Sequence, residues 1–370
     1  MNPLKKLNDF GQSVYMDEIK RSMMHDGYLK TLIERDGLRG VTSNPAIFEK
    51  AIAQSNEYDS AIADLAAQGK STAEIYEDIV IQDIQDAADL FRDLYDANEG
   101  RYGYVSLEVA PDLANDTEGT VKEARHLWQR LGRPNTFIKV PGTSAGLPAI
   151  TTLISEGINV NVTLLFGLER YRDVAWAYVE GLEKAAASGK DISRIASVAS
   201  FFLSRIDVML DPMFDELAAK GNATAKNLKG KVAIANAKLA YQIYKDVFGS
   251  DRWQALANQG ARVQRLLWAS TGTKNPDYSD VMYVEPLVGQ DTVNTMPTST
   301  LDAYRDHGNP ADLIEDSVDE AKQVLAEVAR LGINMDEITQ TLEDEGVDKF
   351  IKPFNSLMKT LDEARSKAPA

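Results

Sequence analysis

Short apolar, β-branched segments alternate with longer stretches of helical spacing over most of this chain, and that alternation confines it to parallel βα units. Eight segments read as strands: Ser13–Met16, Gly40–Ser43, Tyr104–Val109, Thr136–Val140, Ile158–Phe166, Ile195–Phe202, Val263–Ser270 and Val281–Leu287. Eight is the number that closes a barrel, so the expected fold class is α/β, a (β/α)8 TIM barrel with additional C-terminal helices. The helices carry their own signals. Ser71 and Glu74 form a capping box ahead of Ile75, Ile79, Phe91 and Leu94, and Thr120 with Glu123 repeats the device. Val121, Ala124, Leu127, Trp128 and Leu131 then keep one helical face apolar, which reads as core. Past the eighth segment, Val324, Leu325, Val328 and Leu331 mark one helix, and Val347, Phe350, Phe354, Leu357 and Leu361 mark the last. Pro353 is expected to kink that last helix or end it early. No Pro/Gly/Ser-rich linker divides the chain, so residues 1–370 are expected to form a single barrel domain, with the helices from about residue 315 packing on it. Ser366–Ala370 reads as a frayed end or the start of a linker.

Composition narrows the chemistry. The 370 residues, 44% hydrophobic, can bury a large core. A formal net charge of -16 argues against nucleic-acid or anionic membrane partners, either of which would need a basic face. With no cysteine, disulfides, thiolate nucleophiles and cysteine-ligated metals are all excluded. His25, His126 and His307 are far apart in sequence, so no metal is expected. The start, MNPLKKLNDF, lacks the apolar core of a signal peptide, and no run approaches the roughly eighteen residues of a membrane span. The expected setting is soluble and cytoplasmic. An anionic substrate would need placed cations to overcome the global repulsion.

The segment TFIKVPGT, Thr136 to Thr143, sets Lys139 inside strand-forming residues that a proline and a glycine then stop. Burying an ammonium disfavours its charged form and makes a neutral amine available, which suits Schiff-base chemistry on a carbonyl. The plain alternative is an edge-strand lysine whose stem snorkels past apolar neighbours. In such a barrel, chemistry gathers at the carboxyl ends of the strands. Asp17 ends the first candidate strand and Asn44 the second; Glu108 is late in the third, Lys139 in the fourth, Asn161 and Thr163 in the fifth, and Ser200 in the sixth. Singly, each has a structural reading: Asn44 before Pro45 is a good N-cap, Asp17 and Glu108 suit solvated strand ends or caps, and Thr163 is a common strand residue. Polar groups at the same end of successive strands point into one cavity, and the set outweighs its members.

GVTSNP at 40–45, VSLEV at 105–109, FIKVP at 137–141 and NVTLLF at 161–166 occur in this order, and together they make the chain resemble the transaldolases from about Asp17 to the C-terminal helix. Its length, WASTGTKNP and NTMP resemble the longer bacterial subgroup, some members of which are fused to a glucose-phosphate isomerase; no isomerase segment is recognised in this sequence. The resemblance implies a metal-free and cofactor-free transferase. It would move a dihydroxyacetone unit from a ketose phosphate (sedoheptulose 7-phosphate or fructose 6-phosphate) to an aldose phosphate (glyceraldehyde 3-phosphate or erythrose 4-phosphate). Its place would be the nonoxidative pentose phosphate pathway.

By that resemblance Lys139 is the Schiff-base nucleophile, Asp17 the acid/base at the C4 hydroxyl, and Glu108 and Thr163 hold a catalytic water. Asn44, Asn161 and Ser200 correspond to groups that bind the dihydroxyacetone hydroxyls. Arg205, just after the sixth strand, offers paired donors to phosphate. Ser270 matches a second phosphate position; the family commonly places an arginine soon after it, where this chain offers Lys274, either a point charge for phosphate or a solvated loop lysine. PGTSAG after Lys139 reads as the turn into the next helix, with Gly142 and Gly146 there for geometry. Two rival enzymes use the same residues differently. A fructose 6-phosphate aldolase-type lyase would use the same lysine and release free dihydroxyacetone, and a glycosidase would use Asp17 and Glu108 and leave Lys139 without a task.

Overall fold

A computed structural model describes residues 2–367. Eight parallel strands close on themselves in sequence order: β1 (Gln12–Met16), β2 (Gly40–Val41), β3 (Tyr104–Glu108), β4 (Thr136–Pro141), β5 (Val160–Leu165), β6 (Ser197–Phe202), β7 (Arg265–Ala269) and β8 (Thr292–Met296). Every residue of every strand is buried, because the helices sheathe the outer face and side chains fill the inner one. The ring closes where β1 pairs with β8, Gln12 opposite Thr292 through Met16 opposite Met296.

The eighth strand is not where the apolar pattern pointed. Val281–Leu287 forms turns and a short 3-10 helix, Glu285–Leu287, with Pro286 inside it, whose missing N–H disqualifies the segment from a central ladder. Its apolar residues Val281, Tyr283, Val284 and Leu287 are nonetheless buried. They cap the barrel wall from outside: the Tyr283 hydroxyl donates to Asp207 at 2.8 Å, and the Tyr283 carbonyl accepts from Asn294 of β8 at 3.2 Å. The true strand, TVNTM, was obscured by its buried Asn294.

The helical segments follow their caps. Ser71 and Glu74 make the reciprocal capping box at the head of the helix Thr72–Leu90. The second box does not form. The helix Thr117–Leu131 starts one turn earlier, from Asp116, whose side chain accepts from Gly119 N–H; Thr120 is instead inside the helix and bonds the Leu113 carbonyl. The last helix spans Met335–Lys367 and does not end at Pro353, which lies inside it. Buried Phe350 on one side of the proline and Leu357 and Leu361 on the other hold it across the missing backbone bond. Ser366 and Lys367 belong to that helix, while 368–370 lie outside the described residues.

This last helix packs against the helices Pro45–Ala53 and Thr72–Leu90 and the 3-10 turn Pro111–Asn115, so it lies across the carboxyl ends of the early strands. Gly346 allows the approach, since a Cβ there would sit 2.9 Å from Leu164 Cδ2. Gly146 is equally constrained: a side chain would run into the carbonyl oxygen of Pro141 at the end of β4.

Candidate active site

The register of the barrel sets three of the expected residues in one layer. Glu108 of β3 pairs with Lys139 of β4, and Lys139 with Asn161 of β5. The period-two alternation of a strand then puts Ser106 and Thr163 on the same inner face, one step below and one step above. The Lys139 side chain is 5% exposed; its Nζ donates to the Ser43 backbone carbonyl at 2.9 Å and stands 3.3 Å from Glu108 Oε2. Burial pushes the Glu108 carboxyl above its usual range, and the Lys139 charge acts against that rise. Neither Glu108 oxygen has a well-directed hydrogen bond from protein, nor does the buried Thr163 hydroxyl. Three acceptor or donor atoms beside one amine are thus left for a small polar guest.

Asn161 is fixed from both sides. Its Nδ2 donates to Ser106 Oγ at 3.1 Å, and its Oδ1 accepts from Ser200 Oγ of β6 at 2.7 Å. Ser43 Oγ donates to the Ser106 carbonyl at 2.7 Å, which braces the loop that holds Lys139. Asn44 serves as the N-cap of Pro45–Ala53, accepting from Ile47 N–H at 3.0 Å; its side-chain oxygen is engaged in structure and its amide group remains.

Asp17 follows β1 and keeps partial access to the mouth. Burial raises its pKa, and Lys139, a hydrogen bond from Thr42, Arg205 and Lys274 each act to lower it. The Thr42 hydroxyl donates to Asp17 Oδ1 at 2.7 Å and lies 2.6 Å from Thr295 Oγ1 of β8. Four cations or donors from four segments therefore converge on one carboxylate.

Arg205 enters on the first turn of the helix Ser204–Ala219, beneath two rings: Phe202 at 5.1 Å and Phe350 of the last helix at 5.8 Å. Burial lowers its pKa, against the attraction of Asp17 and Glu108. Its Nη1 is buried without a hydrogen-bond partner. Ser270, at φ 54°, stands in the left-handed region, and its Oγ lies 2.8 Å from Ser204 Oγ at the same helix start. Lys274 is exposed, with no carboxylate within ion-pair distance among the described residues, and its charge still reaches Asp17. Phe350 also covers Lys139, its ring centre 6.0 Å from Nζ.

All ten expected residues thus lie at the carboxyl-end pole. Sequence reasoning missed Thr42, Ser43, Ser106, Ser204 and Thr295, and read Phe350 only as one of the residues that mark the last helix. Thr42, Ser43 and Ser106 were within reach, because they belong to GVTSNP and VSLEV and share the inward parity or the loop of the residues chosen. Thr295 was lost with the misplaced strand.

The model of the transaldolase/fructose-6-phosphate aldolase family matches residues 14–361. The chain belongs to that family. Its relatives include a transaldolase of Trichodesmium erythraeum, 52% identical with 98% of this chain and 97% of the relative covered. A protein named transaldolase 2 of Nostoc sp. is 51% identical over 98% and 97%, and another of Streptomyces coelicolor 50% identical over 99% and 98%. The family match spans β1 through the last helix, so the covering helix lies within the shared unit and is no appendage to it.

Proposed function

We propose that this chain is a transaldolase that works through a Schiff base on Lys139. The observation that carries the reading is the buried Lys139 amine, 3.3 Å from a buried glutamate and closed over by Phe350. A lysine so enclosed has no solvent role, and its neighbours are those that imine chemistry needs.

The neutral Lys139 amine attacks the ketone carbon of a ketose phosphate, and the carbonyl oxygen takes a proton to give a carbinolamine. Glu108 and Thr163 hold the water that moves protons here, and loss of the hydroxyl as water leaves a cationic imine. The Glu108 carboxyl, raised by burial and 3.3 Å from the Lys139 amine, is placed to take up a proton as the amine attacks. Asp17 then removes the C4 hydroxyl proton as the C3–C4 bond breaks. The electron pair flows into the imine, and an aldose phosphate leaves. The enamine left on Lys139 attacks the aldehyde carbon of the acceptor, Asp17 returns its proton to the new hydroxyl, and water releases the product.

Asn161, Ser200 and the amide of Asn44 hold the hydroxyls of the retained three-carbon unit. Arg205, with Ser270 and Lys274, takes the phosphate; a guanidinium with an unpartnered Nη1 is suited to that task. Phe350 excludes water from the enamine, which separates transfer from simple aldol cleavage. The substrates would be sugar phosphates of the nonoxidative pentose phosphate pathway. The test is acceptor dependence. With fructose 6-phosphate alone, release of glyceraldehyde 3-phosphate should stop near one equivalent per chain, and adding erythrose 4-phosphate should restore turnover. Continued turnover without acceptor, with free dihydroxyacetone accumulating, would assign the lyase reaction instead.

A further inference from the structure

β3 runs from one pole of the barrel to the other, with Tyr104 at its amino end and Glu108 at the carboxyl end. Around Tyr104, opposite the catalytic pole, a cavity of about 340 Å³ is lined by Arg101, Tyr104, Phe137, Ser197, Arg262 and Arg265, with Glu99 and Asp291 at its edge. Arg39 joins the cluster through Tyr102: its guanidinium stacks on that ring at 3.8 Å, and Arg101 and Arg265 approach the same ring at 5.8 Å.

Four guanidinium groups here make one ion pair among the described residues. Arg101 pairs with Asp291 at 2.9 Å. Arg265, 7% exposed, donates to Ser13 Oγ at 2.9 Å, and Arg262 donates to the Glu99 backbone carbonyl at 2.6 Å. Among the described residues neither these two nor Arg39 has a carboxylate within ion-pair distance. The Nη1 atoms of Arg39 and Arg262 are buried without a partner, and so is the hydroxyl of fully buried Tyr15, a phenol on which Arg265 and Arg39 act. Clustering like charges while leaving buried donors unmade is costly unless an anion completes the set. Glu99 and Asp291, at φ 53° and 54°, add two non-glycine residues in the left-handed region to the rim. Strain of that kind gathers where geometry is being held for a ligand.

We propose that this amino-end pole is a second, non-catalytic anion site for a small phosphate-bearing molecule, held by Arg39, Arg262 and Arg265. Phosphate is favoured over carboxylate because the free Nη1 donors of Arg39 and Arg262 come from two separate segments, and a tetrahedral anion accepts from several directions where a planar one accepts from a single fork. The site is independent of the reaction assigned to Lys139.

Pyrophosphate is the probe, applied to the full chain carrying Arg205→Ala so that the catalytic pole does not compete. Calorimetry should give one pyrophosphate per chain, and hydrogen exchange should show protection in peptides covering 98–104 and 261–266. Adding Arg262→Gln or Arg39→Gln should weaken binding about tenfold or more, and citrate should bind about tenfold more weakly than pyrophosphate. Each double variant is first checked for an unchanged melting transition. If one of the two does not fold, the other carries the comparison, and the protection pattern of the Arg205→Ala chain stands without either. Absence of protection in both segments, or undiminished binding in a folded double variant, would overturn the site; citrate binding as tightly would overturn its phosphate preference.

Discussion

Asp17 shows how single residues set the chemistry. In the proposed reaction its carboxyl must be ionised to accept the C4 proton, yet burial raises its pKa, and Lys139 along with Thr42, Arg205 and Lys274 holds the rise in check. Activity should therefore fall on the acid side as Asp17 takes up a proton. Removing a cation relaxes the hold, so Lys274→Ala should move the acid limb of the kcat profile to higher pH; a limb that stays in place or moves down would contradict the electrostatic link. Asp17→Ala is expected to form the imine but fail to cleave it, with kcat down by about 10²- to 10⁴-fold. Borohydride trapping in that variant checks the order of events, and loss of the adduct would mean that Asp17 also acts before cleavage. Asn44 is instructive in another way: its structural reading as an N-cap is correct at the side-chain oxygen, and any binding role falls to the amide alone.

Among the elements, the last helix closes over the proposed site, and only its existence was legible in the sequence. Its apolar spacing identified it, but spacing does not say which buried ring faces a core and which faces a lysine. Phe350 and Phe354 differ in this way: Phe350 covers Lys139 and Arg205, whereas Phe354 meets Tyr76 edge to face at 5.4 Å. Phe350→Ala should leave imine formation intact and let water reach the enamine. Donor-only turnover should then rise relative to transfer by roughly tenfold, corresponding to about 1.4 kcal/mol, read as dihydroxyacetone released per transfer. An unchanged ratio would mean that the helix is only structural. The turn after Lys139 is a separate case, because Gly146 faces the Pro141 carbonyl. Gly146→Ala should lower the unfolding midpoint by an amount equivalent to about 1–3 kcal/mol, measured in urea.

At the scale of the whole molecule, the first seven strands were legible because buried parallel strands are nearly continuous apolar runs. The eighth was not, because Val281–Leu287 imitates such a run while packing outside the wall, and β8 hides behind a buried asparagine. Contacts that tie distant segments together were invisible for the same reason that spacing cannot reveal them. Asp36, before β2, receives Arg35, Asn2 and, from the helix after β8, Arg305 at 2.8 Å. Burial alone would raise its pKa, but those three partners outweigh it and hold it at about 2, below the ordinary 3.8. A folded pKa below the unfolded one stabilises above the unfolded value and is lost as pH falls through the folded one, so Asp36 should contribute about 2 kcal/mol near neutrality and lose it between roughly pH 4 and pH 2. Asp36→Asn should be less stable than the parent at pH 7, with the gap closing through that window; a gap that persists at its acid end would contradict the assignment. If the covered barrel mouth makes Lys139 a nucleophile that retains three carbons, borohydride reduction of the intact chain mixed with fructose 6-phosphate and no acceptor, followed by intact mass and peptide mapping, should give a single three-carbon adduct on Lys139. An adduct on another lysine, or none on any, would rule that role out.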